Sequence, residues 1–279
     1  MASPSDGRAW LETDTTGDTR NGAEPDGGQV PANDALQSPP PSPIALRAAL
    51  YARLSGRKSR YLQWPGQTKR RFKAGAQMVC EGDAGGLAFA IHEGWTYTSA
   101  THRDGNRQVC DIQIPGDVAN LQGLVLPCAL HDLTAITDVE AFEIRFTPDK
   151  GTGAPDPDDS AVMLWLFANQ AAIMATRLAN LGRRTAIART AHLYLELWIR
   201  LRMAGLGTDA GYRCPMTQYL IADLLGLTPV HVNRVLRELR TQGCASHQRG
   251  WFSLLDKDRL AALAGFDGAY LDTAATGAP

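Results

Sequence analysis

Several signatures of catalytic and metal-binding proteins are missing from this 279-residue sequence. Its cysteines lie far apart and form no Cys-x-x-Cys pair, so the sequence does not indicate a structural zinc site. It contains no phosphate-cradling glycine loop, no paired carboxylates and no nucleophile beside a base. These absences argue against an enzyme and give no reason to expect a metal ion or another cofactor.

Long apolar runs are also scarce. No uninterrupted run approaches the ~18 residues of a membrane span, and the N-terminus lacks a basic start followed by an apolar core. The odd number of cysteines is typical of a reducing compartment. We therefore expect a cytoplasmic protein without a membrane partner.

The formal net charge of -1 hides two segments of opposite sign. Residues 1–43 hold seven acids and two Arg, whereas residues 177–249 hold eleven Arg, four acids and no Lys. The basic segment is typical of a region that binds a polyanion, although an ordinary solvent-exposed surface can have the same composition. Charge alone leaves both interpretations open.

The chain is long enough for two domains, and its residue composition and apolar pattern change along its length. Residues 1–42 are rich in Gly, Asp, Thr, Ser and Pro, which predicts a disordered tail. A short amphipathic helix containing Ile44, Leu46, Leu50 and Leu54 follows. Between residues 75 and 146, short apolar runs broken by Gly and Asp about every eleven residues predict an antiparallel β-barrel or sandwich. We assign residues 43–150 to this β-domain.

A Gly- and Pro-rich break at residues 151–159 precedes a long predicted helix from about Ser160. Its apolar residues recur at intervals of 3, 4, 3, 4 and 3, which is typical of a coiled-coil seam between two copies of a chain. The seam consists of Leu164, Phe167, Ala171, Met174, Leu178 and Leu181. The alternative is a helix packed on its own domain. We assign residues 151–186 to a linker and dimerisation helix.

Residues 216–240 have the pattern of a helix-turn-helix, within a C-terminal domain assigned to residues 187–279. Thr217 is suited to cap the first helix, and Gly226 permits the turn after it. Thr228 is suited to cap the second helix, and Pro229 fits its first position. The alternative is a solvated amphipathic helix at the end of a helical domain.

The second helix of this motif places three Arg along one predicted outward face, which suits phosphates and guanine edges. A hairpin over residues 243–255 would form a wing, with Ser246, His247 and Arg249 near phosphates. The predicted DNA-binding residues are Thr217, Gln218, Thr228, Val230, His231, Asn233, Arg234, Arg237, Arg240 and Arg249.

From about residue 44 to 265 the chain resembles the Crp/Fnr family of bacterial transcription regulators. The most specific match is the stretch from Gly226 to Leu236, and a looser one includes Pro115-Gly116-Asp117. The resemblance implies an α+β protein with a jelly-roll-like β-roll sensor domain, a long dimerisation helix and a winged helix-turn-helix domain. It also implies a homodimer on double-stranded DNA with an inverted-repeat operator, RNA polymerase as a partner and a small-molecule effector that the sequence does not identify.

This sequence differs from the family at two sets of residues, those that bind cyclic AMP and those that hold an iron-sulfur cluster. Members that bind cyclic AMP hold the ribose and the cyclic phosphate with a Gly-Glu and an Arg-Ser pair, whereas the corresponding positions here are Asn120-Leu121 and Ala129-Leu130. An unpaired phosphate is costly to bury, so the sequence argues against cyclic nucleotides. Iron-sulfur members carry a cysteine group near the N-terminus, and here no cysteine precedes Cys80.

Other sensor residues leave alternatives open. Cys80, Cys110 and Cys128 are either redox-active or, as we favour, buried small apolar side chains. His92, His102 and His131 resemble possible haem ligands of nitric-oxide-sensing relatives, but structural or surface roles are favoured for each. The alternative to a transcription regulator is a signalling adaptor whose β-roll binds a metabolite or protein partner and whose C-terminal domain no longer reads DNA.

Overall fold

The computed structural model describes residues 41–56, 68–145 and 157–271. The predicted tail therefore lies outside the described residues except for positions 41 and 42. Most of the predicted break at residues 151–159 also lies outside them. Its last residues are helical, so the helix begins earlier than the expected Ser160.

Helix α1 (Pro43–Ser55) opens the described chain. Ser42 caps it, since its hydroxyl accepts a hydrogen bond from the Ala45 N–H over 3.2 Å. The helix ends at Gly56, whose φ of 68° is left-handed. Ile44 and Tyr51 are buried two turns apart. The predicted helix is confirmed, but the burial of Tyr51 was not foreseen.

Eight antiparallel strands form two four-stranded sheets of the β-domain, which is called the sensor domain below after the resemblance. The first sheet has the order β1-β8-β3-β6 and the second β2-β7-β4-β5. The strands are β1 (Lys69–Phe72), β2 (Gln77–Val79), β3 (Ala88–Glu93), β4 (Thr96–Thr101), β5 (Arg107–Gln113), β6 (Val118–Ala119), β7 (Asp132–Ala135) and β8 (Val139–Ile144). The predicted β-domain is confirmed, although the polar strand β1 lies before the apolar runs predicted between residues 75 and 146.

Two long helices follow the sensor sheets. Helix α2 (Pro157–Arg183) buries Val162 and Leu166 in a cluster with Ile44 and Tyr51. Helix α3 (Ala186–Met203) is capped by Thr185 and is buried over most of its length. The two helices therefore connect the β-domain to the C-terminal part.

The C-terminal part combines three further helices with a four-stranded sheet of order β11-β12-β10-β9. Its elements are β9 (Gly207–Thr208), β10 (Gly211–Arg213), α4 (Gln218–Leu225), α5 (Pro229–Thr241), β11 (Ala245–Gln248), β12 (Trp251–Leu254) and α6 (Lys257–Ala264). With its sheet-rich sensor and helical C-terminal part, the fold is α+β, as expected.

One hydrophobic core spans the sensor domain and the C-terminal part. Trp95, Val109 and Ile112 of the sensor belong to the same buried cluster as Tyr194 and Leu197 of α3. The cluster continues into α4, α5 and β12. The helix-turn-helix is therefore held against its own sensor by apolar contacts.

Candidate DNA-binding surface

The helix-turn-helix of α4 and α5 has the two helix caps and the turn glycine that the sequence predicts. The Thr217 hydroxyl accepts from the Leu220 N–H over 3.2 Å, and the Thr228 hydroxyl accepts from the His231 N–H over 3.2 Å. Gly226 has a φ of 58°, which favours glycine. Both predicted caps and the turn glycine are confirmed, so local sequence fixes where both helices begin.

Helix α5 has a buried face and an exposed face. Val232, Val235 and Leu239 are buried in the shared core. Val230 on the opposite side is 73% exposed. The outward residues therefore stand on a helix whose inner face is fixed by packing.

Three arginines follow the outward face of α5 at intervals of three residues. Arg234, Arg237 and Arg240 are exposed, and within residues 157–271 none of them makes an ion pair. Their guanidinium groups consequently retain their donors for a ligand in solution. This arrangement suits an anionic polymer.

The other predicted contact residues lie around this face. Asn233 donates to the Gln218 Oε1 over 3.3 Å, which links α5 to the first turn of α4. His231 is half-buried, whereas Thr217 and Thr228 are exposed at the two helix starts. The structure thus brings Asn233 and Gln218 together, whereas Thr217 and Thr228 each cap the start of their own helix.

The predicted wing is the hairpin of β11 and β12, with Arg249 exposed at its turn. His247 is a correction to the sequence prediction. Its Nδ1 lies 2.8 Å from the Tyr194 hydroxyl and its Nε2 lies 3.2 Å from the Cys214 carbonyl. Because both ring nitrogens are engaged in the protein, His247 supports the wing and does not project to phosphates.

A buried ion-pair network between the sensor and the two long helices was not predicted. Glu196 of α3 bonds to Arg177 of α2 over 2.7 Å and to Arg200 over 2.9 Å. Arg177 also pairs with Asp111 of β5, and Arg200 with Asp117 over 2.6 Å. The network therefore joins the sensor strand, both long helices and the turn after β5.

The buried carboxylates of this network stay ionised because the buried arginines lie beside them. Burial alone would raise the pKa of Glu196, but Arg177 and Arg200 outweigh burial and hold the pKa below its usual value. Burial and the same two arginines act in the same way on the pKa of Asp111. Tyr270 and Gln170 supply further donors to the two carboxylates. The group is fixed in its ionised form at neutral pH.

Helix α4 also contacts the sensor directly. Arg107 of β5 donates through Nε to Asp223 over 3.0 Å, and the Gln108 amide donates to the Asp223 carbonyl over 2.6 Å. Tyr97 accepts from the same guanidinium over 2.8 Å. These hydrogen bonds fix the orientation of α4 on the sensor, in addition to the apolar contacts between them.

The predicted seam of α2 lies mostly on its outer face. Leu164 and Leu178 are 71% and 73% exposed, and Ala171, Met174 and Leu181 are also exposed. Phe167 is half-buried and packs partly on the sensor core. Most of the seam residues are therefore not covered by the described residues of their own chain, although another face of α2 packs on the sensor through Val162 and Leu166.

Residues 160–183 of α2 are long and apolar enough to cross a membrane by length and composition alone. Arg177 and Asn180 in this segment are nevertheless buried against the protein. Arg177 pairs there with two acids. These contacts are those of a helix packed within a folded protein.

The N-terminal and C-terminal parts of the chain each match a known protein domain family. Residues 69–147 match the cyclic nucleotide-binding domain, and residues 188–263 match the Crp-like helix-turn-helix domain. Together these matches cover more than half of the chain and occur in the order seen in the fold. The chain belongs to the Crp/Fnr family.

Individual relatives agree with this family. The transcriptional activator protein FnrA of Stutzerimonas stutzeri is 23% identical over 70% of this chain and 80% of its own length. The nitrogen fixation regulation protein FixK of Bradyrhizobium diazoefficiens is 27% identical over 69% of this chain and 80% of its own. The structure of FixK2 from Bradyrhizobium japonicum matches with a TM-score of 0.65 and 25% identity, covering 73% of this chain and all of that chain. This Crp/Fnr protein therefore has transcription regulators as relatives.

Leu121, Ala129 and Leu130 are residues that the resemblance matches to the nucleotide partners of cyclic AMP-binding members. Leu121 and Ala129 are buried, and Leu130 is exposed. A small cavity of about 30 Å³ lies between the sensor and α2 beside Leu121, next to Asp111 and Arg200. Arg200 is already paired, so this space offers a phosphate little room.

The remaining sensor residues of the Crp/Fnr chain are dispersed. Cys80 is exposed, so its expected burial is wrong, whereas Cys110 and Cys128 are half-buried. His102 is exposed at the β4–β5 turn, and His131 lies 3.2 Å from Gln122. Among the described residues, the three candidate haem histidines do not form a metal-ligating group with one another.

Proposed function

We propose that this Crp/Fnr protein is a non-enzymatic, cytoplasmic transcription regulator that binds an inverted-repeat operator as a homodimer. The sensor occupies residues 43–150, the linker and dimerisation helix residues 151–186, and the DNA-binding domain residues 187–279. A signal of unidentified chemistry acts at the β-roll. RNA polymerase is a partner, by analogy with relatives named as activators.

The exposed basic face of α5 carries this proposal. Arg234, Arg237 and Arg240 project from a helix whose opposite side is buried, and they have no acidic partner within residues 157–271. An α-helix of this kind fits the major groove, where Arg recognises guanine through O6 and N7. We infer that Arg249, which is exposed at the wing turn, contacts the DNA backbone beside the groove.

The exposed apolar seam of α2 supports the homodimer. Leu164 and Leu178 lie in solvent in a single chain, and a second copy would cover them. A two-fold axis along this helix would relate two copies of α5. Such a dimer reads two half-sites about 34 Å apart, which is one turn of duplex.

Selection of bound fragments from random double-stranded DNA tests the proposed function. We expect an inverted-repeat consensus from the full chain. Arg237→Ala should weaken binding to this consensus, whereas Arg103→Ala, which removes an exposed arginine of the sensor, should not. Recovery of unenriched sequences would instead favour an adaptor that does not read DNA.

A further inference from the structure

Strand β3 ends in a bulge that places two neighbouring side chains on the same face. Ile91 pairs with Ala141 of β8, but Glu93 and not His92 pairs with Glu140. Residues on a regular strand alternate between faces, so His92 and Glu93 would otherwise point in opposite directions. The extra residue therefore brings both side chains to the face that carries Glu140.

The three side chains meet at this bulge. One ligand atom from each of His92, Glu93 and Glu140 lies within 4.8 Å of the others. The Nε2 of His92 is 3.9 Å from the Glu140 Oε1. Its Nδ1 is buried and has no hydrogen-bond partner among the described residues, so no such bond fixes which ring nitrogen faces the carboxylates.

Two carboxylates face each other directly across the strands, which is unfavourable unless a cation lies near them. Lys69 and Arg71 of β1 pair with Glu140. Glu93 makes no side-chain hydrogen bond or ion pair in the part of the chain that the structure describes. The two cations are 44% and 79% exposed, so their pairs with Glu140 are readily exchanged.

We propose that His92, Glu93 and Glu140 bind one divalent transition-metal ion at the β3–β8 bulge. The site is separate from the DNA-binding surface and does not depend on the proposed function. An imidazole with two carboxylates suits Zn²⁺, Co²⁺, Mn²⁺ or Fe²⁺, whereas Mg²⁺ and Ca²⁺ prefer oxygen ligands alone.

The surroundings of the bulge meet the needs of such an ion. A cavity of about 230 Å³ opens beside Glu93 and Glu140, with Arg71 and Lys73 also on its walls, and a second cavity borders His92 and Glu93. Both leave room for water ligands that complete the coordination. The ring of Phe142 contacts the His92 ring edge-on at 5.5 Å between centroids and limits its movement. Only small side-chain movements are needed, because ligand atoms around one such ion lie about 3 to 4 Å apart.

Titration of the full chain with Co²⁺, followed by visible absorption and equilibrium dialysis, tests the site. We expect one Co²⁺ per chain, displaced by Zn²⁺ but not by equal concentrations of Mg²⁺. His92→Gln and Glu93→Gln should each weaken binding at least tenfold. His102→Gln and Glu81→Gln, which change exposed residues elsewhere in the sensor, should leave it unchanged.

Glu93 is exposed, so Glu93→Gln should fold normally, and its melting curve in the absence of metal can verify this. A binding constant for Glu93→Gln equal to that of the native chain would overturn the proposal. An intense near-ultraviolet thiolate-to-cobalt band would also overturn it, because the ion would then lie on a cysteine such as the exposed Cys80.

Discussion

Arg234 and Arg240 lie on one face of α5 but at different distances from its start, and we expect them to contact DNA differently. N-terminal residues of a recognition helix approach base edges. Arg234→Ala should therefore cost roughly 1 to 3 kcal/mol and relax specificity at one base pair per half-site. Arg240→Ala should weaken all sequences about equally and lower the salt slope by about 1. Binding measured against salt on the selected operator and on random DNA distinguishes the two.

The resemblance to the Crp/Fnr family implies reading positions that commonly hold a Glu, a small polar residue and an Arg, and the matching positions here are Val230, Asn233 and Arg234. Val230 cannot accept from a cytosine amino group, so the half-site should differ from those of Glu-bearing relatives at one base pair. An equal loss on operator and random DNA for Arg234→Ala would contradict its assignment as a base reader.

His192 gives folding stability a defined pH dependence. Burial lowers its pKa to about 4, and nearby Arg184 and Arg177 act in the same direction against Glu196. The group is therefore neutral in the folded chain at pH values where it becomes charged in the unfolded chain. Its contribution to stability is present above pH 6.5 and is lost as the pH falls towards 4.

The variant His192→Phe tests this dependence, because a phenyl ring retains apolar contact with Phe266, whose ring centroid lies 4.7 Å away. We expect the melting temperature of the native chain to fall more steeply between pH 6.5 and 4 than that of the variant. Parallel curves would show that other groups cause the acid sensitivity.

At the scale of elements, α4 and α5 were predictable because their caps, turn glycine and first-turn proline are local signals. The ion-pair network was not predictable. Arg177 and Asp111 are 66 residues apart, and Arg200 and Asp117 are 83 apart. Each of these charges looks like an ordinary surface residue in sequence. Only the packing of α2 and α3 on β5 makes them partners.

The bulge at Glu93 was hidden for a related reason. The sequence around Glu93 looks like that of a strand whose side chains alternate regularly between faces. Whether His92 and Glu93 lie near Glu140 depends on the register between the two strands, which the sequence does not reveal. His247 was misassigned because its position on the wing was visible, but the buried Tyr194 hydroxyl was not. The sequence therefore indicates which residues are near the site more readily than it indicates where their side chains point.

The seam of α2 should control the assembly of the chain. Leu178→Asp would place two carboxylates against each other across the proposed two-fold axis, which is strongly unfavourable without partners. We expect monomers by light scattering and weaker operator binding. Ala179→Asp is the matched control, because Ala179 is exposed one residue away and lies outside the seam. A dimeric Leu178→Asp variant would place the interface elsewhere.

For the whole molecule, we expect that cyclic AMP and cyclic GMP are not its signals. By the resemblance to the family, Leu121 and Ala129 stand at the positions of the ribose and phosphate partners of nucleotide-binding members, and the cavity beside Leu121 holds about 30 Å³. Calorimetric titration of the native chain should detect no binding at physiological nucleotide concentrations. Micromolar affinity for either nucleotide would contradict this expectation.

The hydrophobic core shared by Trp95, Ile112 and Leu197 has a consequence for folding cooperativity. Since sensor side chains complete the core beneath the helix-turn-helix, the two parts should unfold in one calorimetric transition. A fragment that begins at residue 187 should expose this apolar surface and aggregate. A substitution in the β-roll core would then abolish DNA binding by lowering the amount of folded protein, even when it leaves every signal-binding residue intact.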